Sequence, residues 1–143
     1  MTPCLFDAPS TGTGTREWSQ HSFNIGLGCQ NDCLYCYAAA MAANPFYGCR
    51  RPRADWAREE LTRNTELRRF PDRHGSVTMF PTTHDITPYY LDAYIASARS
   101  ILQAGNNPLL IVSKARLDCI QMLCQELSPW RDQIMIRITI GTL

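Results

Sequence analysis

Ser22-Phe23-Asn24-Ile25-Gly26-Leu27-Gly28-Cys29-Gln30-Asn31-Asp32-Cys33-Leu34-Tyr35-Cys36-Tyr37 reads as a strand running directly into a cysteine loop. The strand is placed at Ser22–Leu27. Behind the loop, Tyr37-Ala38-Ala39-Ala40-Met41-Ala42-Ala43 is a run of strong helix formers that stops at Asn44-Pro45. Strand, turn and helix make one βα unit. The cysteines are spaced C-x3-C-x2-C, with Tyr35 just before the last of them. Three thiolates this close can converge on one metal centre. If that centre is a cubane iron–sulfur cluster, three cysteines leave one coordination position open. Gly26 and Gly28 permit backbone conformations that a side chain would forbid. Backbone N–H groups near the following helix can hydrogen-bond cluster sulfides and thiolates.

The same alternation continues along the chain. Asp55–Phe70 is Arg-rich and expected to be helical, with Trp56, Leu61 and Leu67 apolar and Pro71 closing it. Val77-Thr78-Met79-Phe80 predicts a short buried strand. Thr87 suits an N-cap and Pro88 a first helical position, for a helix that runs to about Gln103 and stops at Gly105. Leu109–Val112 is a strand-type run. Leu117, Ile120, Cys124 and Leu127 then recur at helical spacing, with Pro129 after them. Ile134–Ile140 is β-branched and predicts the fourth strand. Apolar strands joined by helices imply an α/β fold of parallel βα units. Four units make about half of an eight-stranded TIM-type barrel, so the expectation is a partial barrel. Residues 1–20, rich in Ser, Thr, Gly and Pro at the start, are assigned to a flexible lead-in and residues 21–143 to the domain. Because the sequence stops just after the fourth strand, a truncated chain, or one needing a partner surface, is expected.

Bulk properties narrow the classes. The 143 residues suit one domain with a real core. A net charge of +1 excludes a strong overall field toward nucleic acid or anionic membrane. No apolar run approaches the roughly 18 residues needed to span a bilayer. The N-terminus lacks the pattern of a secretory signal, so a cytoplasmic address is the default. Seven cysteines without such a signal argue against a disulfide framework, and an odd number leaves at least one unpaired.

In βα folds, active sites gather at the C-terminal ends of strands. The cysteine loop, Thr82-Thr83-His84-Asp85, Ser113-Lys114 and Thr139–Thr142 each follow a predicted strand. All of them therefore fall on one rim.

C-x3-C-x-Tyr-C after a first strand resembles the signature of the radical S-adenosylmethionine enzymes. Asn24-Ile25-Gly26-Leu27-Gly28-Cys29, with Cys33-Leu34-Tyr35-Cys36-Tyr37-Ala38, resembles the branch related to spore photoproduct lyase. The resemblance implies that Cys29, Cys33 and Cys36 hold three irons of a 4Fe–4S cluster. The fourth iron would chelate S-adenosylmethionine, and reductive cleavage would yield a 5′-deoxyadenosyl radical for hydrogen abstraction. It implies an electron donor of flavodoxin or ferredoxin type and leaves the substrate open. The branch hints at repair of a nucleic-acid lesion. It also implies that Thr82, Thr83, His84 and Asp85 occupy the segment that contacts the cofactor's amino group, although the glycine-glycine-glutamate form common in the superfamily is missing.

Each candidate has a plainer alternative. Tyr35 faces the adenine or packs in the core. Asp85 contacts the cofactor or starts a helix. His84 donates a proton or satisfies a local hydrogen bond. Lys114 meets the cofactor carboxylate or points to solvent. Thr139 and Thr142 are candidates for the ribose. The arginines between Arg50 and Arg73 contact phosphate or form a solvated helix face. Cys124 is expected in the core. Cys49 is set apart by Arg50 and Arg51, neighbours that can lower a thiol pKa. The rival reading of the cysteine loop is a zinc module completed by a histidine such as His21.

Overall fold

The computed structural model describes residues 12–62, 69–114 and 116–140. Its strands are β1 (His21–Ser22), β2 (Gly26–Leu27), β3 (Glu60–Leu61), β4 (Thr78–Met79), β5 (Leu109–Ser113) and β6 (Ile134–Ile138). Its helices are α1 (Tyr37–Ala43), α2 (Leu91–Gln103) and α3 (Leu117–Glu126). Four strands form a parallel sheet in the order β1-β4-β5-β6. The fold is thus mixed α/β with a parallel sheet and helices, in keeping with the βα alternation. Strands β2 and β3 form a separate antiparallel pair.

Side-chain alternation along a strand gives the sheet two different faces. Leu109 and Ile111 point to the face covered by α2 and α3, where they pack with Tyr94, Ile101, Leu123 and Leu127. Val77, Met79 and Leu110, with Val112 and Met135, line the opposite face. β5 is buried on both faces, which explains its unbroken apolar run. A smaller cluster forms between α1 and the loop behind it, from Cys29, Ala38, Ala39, Ala42 and Trp56.

Several sequence expectations are corrected. The strand placed at Ser22–Leu27 is two strands in two different sheets. Phe23 still donates its N–H to Met79 O, but the Ile25 N–H goes to His84 Nε2. Between them Asn24 Oδ1 accepts the N–H groups of Thr82 and Thr83, which ends the ladder. The helix placed at Asp55–Phe70 is absent over its described part. A single 3-10 turn at Arg53–Asp55 is followed by β3. The carbonyls that a helix would use are taken elsewhere: Trp56 O by the Cys29 N–H, Arg58 O by the Arg51 guanidinium. Leu67 lies outside the described residues.

The helix expected from Pro88 begins at Leu91, after a turn closed by the Tyr90 N–H on Thr87 O. Thr87 is therefore not the N-cap. Cys124 is exposed, and Cys119 takes the buried position with Leu123. The helical face is set by residues 119, 123 and 127, a phase that leaves Leu117 outside. β5 extends one residue beyond the expected strand, and β6 stops at Ile138. Within the assigned lead-in, Gly14–Glu17 form a 3-10 turn and Ser19 is buried. No helix among the described residues is long and apolar enough to cross a membrane.

Candidate functional site

A cavity of about 690 Å³ opens at the C-terminal ends of β4, β5 and β6, beneath the cysteine loop. That is the size of a small-molecule site. Cys29, Cys33, Cys36, Tyr35, Thr82, Thr83, His84, Asp85, Lys114 and Thr139 all line it. Ten residues spread over more than a hundred positions therefore meet at one surface. Thr142 lies outside the described residues, and His21 lines a different, much smaller recess.

The loop is built by a succession of local bonds. Gly28 has φ +92°, and a Cβ there would overlap Arg58 O and the Arg51 guanidinium. Gly26 is equally constrained, because a Cβ would overlap the Tyr90 ring. Asp32 N–H closes on Cys29 O and Cys36 N–H on Cys33 O, each at 3.1 Å. Cys36 then caps α1, its Sγ accepting the Ala39 N–H at 3.4 Å.

Distant groups fix this loop in place. The buried Tyr90 hydroxyl donates to Gly28 O at 2.9 Å. Arg51, 3% exposed, donates to Leu27 O at 3.1 Å and pairs with Glu60 at 2.6 Å. Its guanidinium is thus committed to the loop and β3 and not to Cys49, which is exposed. Arg53 bonds Asp32 and, at 3.1 Å, Cys33 O. These two arginines hold protein groups.

Asp85 is the hub of the rim. Its buried carboxylate accepts four hydrogen bonds: from Ile86 N–H at 2.7 Å, Ser113 Oγ at 2.6 Å, Lys114 N–H at 3.0 Å and Asn31 Nδ2 at 2.9 Å. It joins the cysteine loop to the end of β5, and it does not cap a helix. His84 is buried, and its Nδ1 lies 2.9 Å from Asp85 O while Nε2 accepts from Ile25. That pattern is the neutral ring with the proton on Nδ1, and burial lowers its pKa in accord. Lys114 reaches back across the cavity mouth to Tyr35, with Nζ 2.8 Å from its hydroxyl. That hydrogen bond raises the lysine pKa and keeps it charged. Tyr35 is exposed, not packed in the core. Tyr37 bonds Thr82 O, a second bridge between cysteine loop and β4 loop.

Cys29 is buried, and burial pushes its thiol pKa up to about 11. Cys33 and Cys36 are partly exposed. Among the described residues, no three His, Cys, Asp or Glu side chains are gathered as around a single metal ion. All three cysteines line the cavity. Three thiols lining one cavity are the donor type of an iron–sulfur cluster that keeps one iron position open. The buried Trp56 fits it too. Its Nε1–H has no hydrogen-bond partner among the described residues, and its ring packs in the Cys29 cluster beside Cys36. A buried donor of this kind suits a thiolate or sulfide acceptor.

Sequence reasoning missed Asn31, Trp18 and Arg137. Asn31 sat inside the motif as a spacer, and only the fold gives it a partner. Trp18 and Arg137 are 119 positions apart and carry no local signal. No family model matches the sequence, and no curated protein or solved structure matches the chain.

Proposed function

We propose that this chain is a radical S-adenosylmethionine enzyme, or a part of one, with a partial-barrel fold, related in its cysteine motif to the spore photoproduct lyase branch. The observation that carries it is the meeting of Cys29, Cys33 and Cys36 with the β4, β5 and β6 rim residues around one cavity. In this reading the three thiolates hold a 4Fe–4S cluster. When bound with S-adenosylmethionine, that cluster supplies one-electron cleavage of a sulfonium C–S bond and a carbon radical for hydrogen abstraction.

The protein's own residues do the rest. Asp85, Tyr90 and Arg51 hold the thiols in position. Lys114 presents a cation at the mouth, suited to the carboxylate of an amino-acid cofactor. Thr82, Thr83 and Thr139 offer hydroxyls to its amino group and ribose, and Tyr35 an aromatic face to its adenine. Neutral His84 is engaged by backbone on both nitrogens, which makes it a positioning residue. A flavodoxin- or ferredoxin-like donor would supply the electron, in a cytoplasmic setting.

Anaerobic reconstitution with iron and sulfide tests this. The parent protein should bind iron and turn brown. Cys29→Ala, Cys33→Ala and Cys36→Ala should each lose the cluster, while Cys49→Ala and Cys124→Ala should keep it. Reduction in the presence of S-adenosylmethionine should release 5′-deoxyadenosine. Zinc in place of iron, or iron retained by all three alanine variants, would overturn the proposal.

A further inference from the structure

The inner face of the parallel sheet is apolar except at its rim. Val77, Met79, Leu110, Val112 and Met135 cover it. Arg137, on β6 opposite Val112, is the exception. Its side chain lines the cavity and is only partly exposed. The guanidinium carbon lies 3.8 Å from the centroid of the Trp18 ring. Among the described residues the ion pairs are made by Arg51, Arg53, His74, Arg99 and Arg131, and none by Arg137. Glu17 borders the same cavity without pairing to it.

This arrangement is costly if its purpose is only packing. An exposed cation–π contact is worth about 0.5–1 kcal/mol. A methionine or leucine would cover Trp18 and Met135 without carrying a charge into a half-buried wall. What the contact does achieve is to hold the guanidinium against the ring, while among the described residues no partner takes its N–H fork. A fixed fork is the geometry that recognises a carboxylate or phosphate through two bonds at once.

We propose that Arg137, braced by Trp18, is the anion subsite of this cavity and binds the oxyanion of an organic substrate. It rests on the radical-enzyme reading only in giving that anion to a molecule other than S-adenosylmethionine. Lys114 already offers that cofactor a cation, from the neighbouring strand end. The apolar walls beside Arg137, from Trp18, Met79 and Val112, suit the organic body to which the oxyanion is attached.

Calorimetric titration of the cluster-free full chain tests the subsite independently of any iron chemistry. The probes are phenyl phosphate and its uncharged counterpart, phenol. The parent should prefer phenyl phosphate by about tenfold or more, the worth of one charge-assisted contact. Arg137→Gln should abolish that preference, and Arg137→Lys should restore part of it. Trp18→Leu should weaken it severalfold with the charge intact. Unchanged melting midpoints establish that each variant is folded. Equal binding of phenyl phosphate by the parent and Arg137→Gln would overturn the subsite. In a second arm, the reconstituted protein is titrated with S-adenosylmethionine. Arg137→Gln should bind it as the parent does. A loss matching the phosphate loss would give the anion to the cofactor and overturn the substrate assignment. Failure to take up iron would overturn the radical reading and leave the first arm standing.

Discussion

Replacing Asp85 by Asn removes one of two acceptor oxygens and leaves the shape almost unchanged. The carboxylate accepts four bonds, from Ile86 N–H, Ser113 Oγ, Lys114 N–H and Asn31 Nδ2, at 2.6–3.0 Å. The amide oxygen can keep two of them. The other two donors then face an NH2 group in a buried site. A hydrogen bond to a charged group is worth about 1.5–3 kcal/mol, so the expected loss is roughly 3–6 kcal/mol. Against a total stability of about 5–15 kcal/mol that is a large fraction. At this chain length it corresponds to a fall of roughly 10–20 °C in Tm. Thermal unfolding of the cluster-free protein, followed by circular dichroism, measures it. Asn31→Ala breaks one of the four bonds and should cost about 1–2 kcal/mol. In a double-mutant cycle the two changes should be non-additive, because they share a bond. If Asp85→Asn melts within about 3 °C of the parent, Asp85 is no structural clamp, and a ligand-binding role becomes the better account of its place in the cavity.

His84 makes stability depend on pH. Burial lowers its folded pKa below the unfolded value of about 6.5, so the unfolded chain binds the proton first. Stability is therefore full above about pH 6.5. It falls as pH drops toward the folded pKa, by up to about 1.4 kcal/mol per pH unit. His21 is lowered in the same direction by partial burial and Arg73. His84→Gln keeps an acceptor for Ile25 and should flatten this slope in urea melts across pH 5 to 7; an unchanged slope would assign it to other groups. Two glycines with left-handed φ form a controlled pair. Gly48→Ala has open space and should cost only the strain of about 1–2 kcal/mol, whereas Gly28→Ala adds overlap with Arg58 O and Arg51. The second variant should lose several kcal/mol and much of its iron uptake. Equal urea midpoints for the two would show that the Gly28 overlap is relieved cheaply.

The parts of the fold that sequence made legible are those governed by local chemistry. Leu109–Val112 is apolar throughout because it lies in an inner strand buried on both faces, and the alanine run of α1 is made of strong helix formers. Rim residues at strand ends were found because βα connectivity places them there, whatever the strand boundaries. Asp55–Phe70 defeated the same reasoning. Its composition favours a helix, but Arg51 and the Cys29 N–H take its carbonyls, and both come from outside the segment. Asn24 likewise interrupts a convincing strand only because the β4 loop presents two N–H groups to it. Arg137 and Trp18 could not be paired from sequence, since neither belongs to a motif and the contact spans the whole fold.

In the proposed reading, the ties on the cysteine loop bear on how it would take a metal. Ordering Cys29 to Cys36 costs about 1–2 kcal/mol per residue in backbone entropy alone. In a small zinc module the metal supplies that free energy, which is why such modules unfold without it. Here the loop is bonded by Tyr90 at Gly28 O, Arg51 at Leu27 O, Arg53 at Cys33 O, Glu59 at the Gln30 N–H and Asp85 at Asn31. These partners come from α2's approach, the β3 side and the β4 loop, and they act whether or not metal is bound. Preorganisation of this kind shifts the task of the thiols from folding the loop to lining a cavity. In the proposed reading, the raised pKa of the buried Cys29 would be overcome by exchange of its proton for a metal. A loop held this firmly by protein groups is better suited to an exposed reactive centre than to a structural ion, because the coordination of the centre can change without the loop coming apart.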